Sequence, residues 1–183
     1  MNIFKAFWFN VFIFIPMKRL LLFIALVAFA NTQALAQYQT AIKRDAQAMC
    51  NAVVKGDFKT AVNYMYPKMV TQLGGRDKIL QQVSDGAKAM NQAGQKLVNI
   101  TIGEPGKVIA NGNQRFVMVP SRVLVNVGGK VSNTSYPQLG ISDDKGKTWH
   151  FMDGNNLNDD VMQRLFPKVG KQLIELKQAM GSK

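Results

Sequence analysis

The sequence predicts an α+β fold in which helices come first, antiparallel strands follow and a further helix closes the chain. Three observations carry that expectation. From Tyr38 to Ala93 apolar residues recur every three or four positions, the spacing of one helix face. After Gly94 the interval drops to two, the alternation of a strand. Glycine, asparagine and aspartate clusters then punctuate the strands where hairpins turn.

Taken in order, the first helix runs from Tyr38 to about Lys55, with Ile42, Ala46, Met49 and Val53 on one side. Gly56 ends it, and Asp57 is placed to cap the next by accepting from its free amide groups. The second helix spans Phe58 to about Tyr66 and stops before Pro67. After Gly74-Gly75 a third covers about Asp77–Ala93, with Ile79, Leu80, Val83, Ala87 and Met90 inward.

Strands are expected over 96–104, over 107–114 ending in an Asn-Gly turn, and over 115–127, 130–142 and 147–153. In the first, Leu97, Asn99 and Thr101 should oppose Val98, Ile100 and Ile102. Pro120 and Pro137 have no amide proton for a ladder, which predicts a bulge or bend at each. The strand over 115–127 is apolar on both faces, so its far face needs a cover. That cover is a sheet curved around a pocket, the final helix or a second copy of the chain. The final helix, 159–180, has Asn158 or Asp159 as its N-cap, and Pro167 should kink or split it.

Residues 1–36 are read as a leader rather than fold. "MKRLLLFIALVAFANTQALAQ" from Met17 has a basic start, an apolar run of about 11 residues and small residues before Gln37, the pattern of a cleaved signal peptide. That run is shorter than the ~20 residues that span a bilayer. Translation is expected to begin at Met17 and cleavage to follow Ala36, which predicts a periplasmic or secreted single domain over 37–183. Membrane contact would be through the signal segment alone.

Removing Lys5, Lys18 and Arg19 with the leader takes the formal charge from +12 to +9. The basic residues are scattered, never three in a row, and export argues against a nucleic-acid partner. A solvated surface is the plain reading; attraction to anionic lipid or polysaccharide is the sharper one.

Few residues suggest chemistry. Cys50 is the single cysteine, so no intramolecular disulfide forms. At helical spacing with Ile42, Ala46, Met49 and Val53, it reads as a small buried residue. No metal site or cofactor is expected. Asp143, Asp144 and Asp153 do not match a calcium loop, and Asp143-Asp144-Lys145-Gly146 is hairpin-turn chemistry. No nucleophile elbow, phosphate loop or dinucleotide fingerprint occurs.

The weak catalytic candidate is His150, the lone histidine, in "ISDDKGKTWHFMDG" (141–154). Alternation puts Trp149 and Phe151 on one face and His150 on the other, and Asp153 falls opposite His150, so the imidazole lacks an orienting acid. Tyr64, Tyr66, Arg122, Trp149 and His150 are the candidates for lining a binding cavity. The plain alternatives are buried tyrosine rings with hydroxyls at the surface, an exposed strand arginine and an aromatic core anchor.

Together "KGDFKTAVNYMYPKMV", "GGRD" and the closing hairpin "SDDKGKTWHFMD" resemble the nuclear transport factor two-like superfamily, a cystatin-like cone. More narrowly, the chain is similar to the superfamily's small exported bacterial members of unknown function, over about Tyr38–Gly154. The resemblance implies three N-terminal helices packed on a curved antiparallel sheet of about four to five strands, plus a C-terminal helix. It also implies a cavity between helices and sheet and a homodimer formed through the sheet. Some members are isomerases with acids inside the cone. No acid falls in the middle of strands 96–102 or 115–127, so a non-enzymatic domain binding a small ligand or an envelope protein is expected first. An isomerase- or hydrolase-like enzyme using His150 and a basic cell-envelope association module are the alternatives.

Overall fold

The computed structural model describes residues 37–155 and 157–181; the expected signal peptide lies outside them. The described fold is α+β: four helices, a five-stranded antiparallel sheet and two closing helices. The first helix, α1, covers 37–54. Asp57 caps α2 (Phe58–Asn63), its Oδ1 accepting from the Thr60 amide at 3.1 Å. Then come α3 (Pro67–Gln72) and α4 (Arg76–Gln92).

Helix α3 departs from the expected two-helix reading of 58–93. Pro67 does not merely stop the preceding helix. It occupies the first turn of a new one, where its missing amide proton costs nothing and its fixed φ suits the helix. Arg76 then ties α4 back to α2, donating to the Asn63 side chain and, at 2.6 Å, to the Lys59 carbonyl.

The sheet comprises β1 (Gln95–Ile102), β2 (Ile109–Asn111), β3 (Gln114–Val127), β4 (Lys130–Ser142) and β5 (His150–Asp153). Its order is β1-β3-β4-β5, with β2 also on β3. Expected alternation in β1 is corrected by a bulge between Leu97 and Asn99. Leu97 is thereby returned to the same face as Ile100 and Ile102, and Val98 is left 47% exposed.

The prolines behave differently from expectation as well. Pro120 and Pro137 stand directly opposite each other, and β3 and β4 run through them unbroken. Their carbonyls point outward, accepting from the amides of Gly103 at 2.8 Å and Gly154 at 2.9 Å. Their nitrogens face the same outward directions, where β1 and β5 have just ended. No ladder bond between β3 and β4 is lost.

Both faces of the sheet's centre are buried. Phe116, Val117, Met118 and Val119 are each at most 1% exposed. Val117 and Val119, with Trp149 and Phe151, pack against Ile42 and Ala46 of α1. Phe116 and Met118, with Leu139, Ile141 and Met152, pack against Met162, Phe166, Leu173 and Ile174. The cover over the far face is therefore the C-terminal segment.

That segment is split at Pro167 into α5 (Asp159–Leu165) and α6 (Gly170–Gly181), with Asn158 as the N-cap of α5. The last strand is shorter than expected, because Asp144 and Gly146 draw residues 143–149 into a turn. Gly146 has φ +92°, and a Cβ there would lie 2.4 Å from the Tyr38 ring. Glycine alone satisfies both constraints.

Leu173 is fully buried where α6 meets the sheet. Leu173→Ala should destabilise the fold by about 2–5 kcal/mol, read as a lower urea midpoint at constant slope. An unchanged midpoint would mean that α6 is not seated on β3.

Candidate functional site

On the face covered by α1, α2 and α4 the sheet's side chains leave a cavity of ≈ 220 Å³. Its helical walls are Met49 and Val53 of α1, Phe58, Ala61 and Val62 of α2, and Val83 of α4; Met65, Phe151 and Met152 complete the apolar lining. Tyr136, Gln138 and Asp153 are its polar members. Periodicity explains the placement. Gly140, Gln138 and Tyr136 share one face of β4 and pair with Val117, Val119 and Ser121 of β3.

Behind that wall lies a small polar cluster. Gln138 is 4% exposed and Ser121 2%, and neither Gln138 Oε1 nor Ser121 Oγ has a hydrogen-bond partner. Cys50 of α1 sits beside Gln138. Burial pushes its thiol up to about 11, and the Gln138 side chain opposes the rise. Burial, followed by the charges of Cys50 and Asp153, raises the Tyr136 hydroxyl, again with Gln138 opposing. At neutral pH both groups are protonated and neutral. Cys50 is thus a poor nucleophile, since the thiolate is the reactive form.

The five residues singled out from the sequence fall elsewhere. Tyr64, half-buried at the C-cap of α2, uses its carbonyl to accept from the Phe151 amide at 2.7 Å. Tyr66 is buried on the opposite face, its ring 6.0 Å from that of Phe166. Burial, followed by the charge of Asp143, raises the pKa of its hydroxyl, and the Gln114 side chain opposes the rise. Arg122 is exposed on β3 between Thr101 and Ser135. His150, half-buried, pairs with Ile141 and shares the Met152 face beneath α5 and α6.

Trp149 is a structural anchor. Its amide donates to Asp45 Oδ2 at 2.9 Å, and its indole Nε1 donates to the Gly146 carbonyl at 3.1 Å. Asp45 is itself held by Arg44, whose Nε lies 2.7 Å from Oδ1. This buried carboxylate, which sequence reading passed over, fastens α1 to the start of β5.

The aspartates at 143–144 also have structural work. Asp144 accepts from Ser142 Oγ and Thr148 Oγ1 at 2.7 Å, and from the Lys147 and Thr148 amides at 3.0 Å. Burial alone would raise its pKa; the amide of Thr148, the hydroxyls of Ser142 and Thr148 and the amide of Lys147 outweigh it and bring the value to about 2. Among the described residues no group of three or more His, Cys, Asp or Glu side chains is gathered to hold a metal ion. No described helix is long and apolar enough to cross a membrane.

Two pH dependences follow from these shifts. Asp144 has its folded pKa depressed, so its stabilisation is present above its ordinary value of 3.8 and is lost as pH falls toward 2. Asp144→Asn should flatten the acid limb of a stability–pH curve; an unaltered limb would contradict the hydrogen-bond assignment. Cys50 has its folded pKa raised from 9.0, so its contribution is full below pH 9 and fades as pH rises toward 11. Cys50→Ala should remove part of the alkaline loss, measured by urea unfolding across that window. Tyr136 contributes in the same direction, so some of the loss should remain.

No protein-family model matches the sequence, and neither does any curated protein. A solved structure described as "Crystal Structure of TerC Co-crystallized with Polyporic Acid" is similar over 61% of this chain and 90% of that one. The identity is 13% and the TM-score 0.28, a likeness too slight to carry weight for fold or function.

Proposed function

We propose that the protein is an exported, non-enzymatic domain that binds a small, largely apolar ligand in the cavity between α1, α2, α4 and the sheet. The observation that carries this reading is an apolar chamber whose wall also holds Gln138 and Tyr136, two polar side chains able to hydrogen-bond a ligand. The thioethers of Met49 and Met65 favour an aromatic or flexible apolar body.

The signal-like pattern from Met17 to Ala36 supports export, and the resemblance to cone-shaped nuclear transport factor two-like domains supports a ligand site on this side of the sheet. Binding is favoured over catalysis because the cavity wall gathers no base with an orienting acid. His150 is on the far face of the sheet, and Cys50 and Tyr136 are held neutral.

4-Propylphenol, an apolar body with one donor, is a suitable probe. In an amide NMR titration, its shifts should centre on Met49, Phe58, Val62, Met65 and Phe151. Gln138→Leu should weaken it about three- to tenfold, the worth of one neutral hydrogen bond. Shifts centred beneath α6, or none, would refute the assignment.

A further inference from the structure

The cavity does not end at Val53, Phe58 and Val83. These three side chains also line a wider cleft of ≈ 590 Å³ between the end of α1, α4 and the start of β1, so the two spaces adjoin. Apolar side chains continue along the cleft, among them Val54, Ala87, Met90 and Leu97, and each is half-buried rather than buried. Helix α4 buries only Ile79. Val83, Ser84, Ala87 and Met90 on its inner face are half-buried where they line the cleft.

The rim of the cleft is basic. Lys55, Lys88 and Lys96 line it, each exposed, and no aspartate or glutamate does. Their positions on three different elements (the end of α1, α4 and the start of β1) bring the charges to one opening. Opposing charge nearby is modest. Asp85 reaches Lys88 Nζ at 3.5 Å, and Asp57, spent on capping α2, senses Lys55 and Lys59 at longer range.

We propose that the adjoining cavity and cleft together hold one acyl chain of a free carboxylate amphiphile, tail inward and anionic head met by Lys55, Lys88 and Lys96. This names the ligand class of the site described above and rests on that site being a ligand site. A tail buries against the methionine and valine walls and is driven in by loss of its contact with water. The head stays at the solvent boundary, where three flexible ammonium groups surround it without its full desolvation. A cationic or neutral head has no such partner.

The test is calorimetric titration of the chain as the cell releases it, with dodecanoate, dodecanol and dodecyltrimethylammonium, at low and at high salt. Dodecanoate should bind about tenfold tighter than dodecanol at low salt, and the margin should narrow at high salt as screening shortens the reach of the lysines. The cation should bind weakest. A Lys55→Gln, Lys88→Gln, Lys96→Gln variant, altered only at exposed positions, should bind dodecanoate and dodecanol alike.

Equal affinity of the unaltered protein for dodecanoate and dodecanol overturns the head-group assignment. Failure of all dodecyl probes, with the 4-propylphenol shifts intact, overturns the acyl chain and leaves the smaller site standing. Loss of both probes overturns the site itself. Salt-sensitive adhesion to phosphatidylglycerol vesicles without uptake of dodecanoate would assign the lysines to surface attraction and overturn the proposal.

Discussion

The constraint on which the rest depends is that four consecutive residues of one strand, Phe116 to Val119, are buried on alternating sides. A strand so placed cannot belong to a sheet with a wet face. It demands two apolar layers, and the chain supplies them from segments before and after the sheet: α1 and its neighbours on one side, α5 and α6 on the other. Gly140 shows how close the fit is. A Cβ there would lie 2.9 Å from Val117 Cγ1 and 3.2 Å from the Phe151 ring, so β4 gives up a side chain to seat the aromatic residues of β5.

The polar interior follows the same geometry. Where β4 reaches Gln138 and Tyr136, Met49 and Val53 of α1 line the chamber, and Cys50 is buried between them in sequence, beside Gln138. The Asp45 carboxylate, satisfied by Trp149 and Arg44, holds one end of α1 against the sheet. At the other end the helix faces unsatisfied acceptors and a space.

The α+β order and the double burial of β3 were legible because period and parity are local signals. Pro120 and Pro137 depart from expectation for a common reason: the missing amide proton predicts a break in the ladder, whereas the tertiary position of each is one where no such bond is needed. The bulge at Leu97–Asn99 leaves no mark in a run that alternates well. Within the candidate site, His150 drew notice as the sole histidine, yet its own parity sets it opposite Phe151, which lines the cavity. Tyr136 and Gln138 went unnoticed because they flank a proline in a strand that reads as polar. Their shared face with Gly140 was the available signal. The lysines of the rim come from three separate elements and converge only once the helices pack.

The placement of α5 and α6 also bears on the order in which the fold can be completed. Phe116, Met118, Leu139, Ile141 and Met152 are covered by side chains, among them Met162, Phe166 and Leu173, that follow the whole sheet in the chain. Until residues 159–181 emerge, a finished hairpin of β3 and β4 would present that apolar row to water, and sticky intermediates of this kind are prone to aggregate. Closure by a distant segment also raises the mean sequence separation of native contacts, which slows folding. A truncation upstream of Asp159 would therefore trap the nascent chain at its most vulnerable stage, with one face of the sheet complete and the other bare.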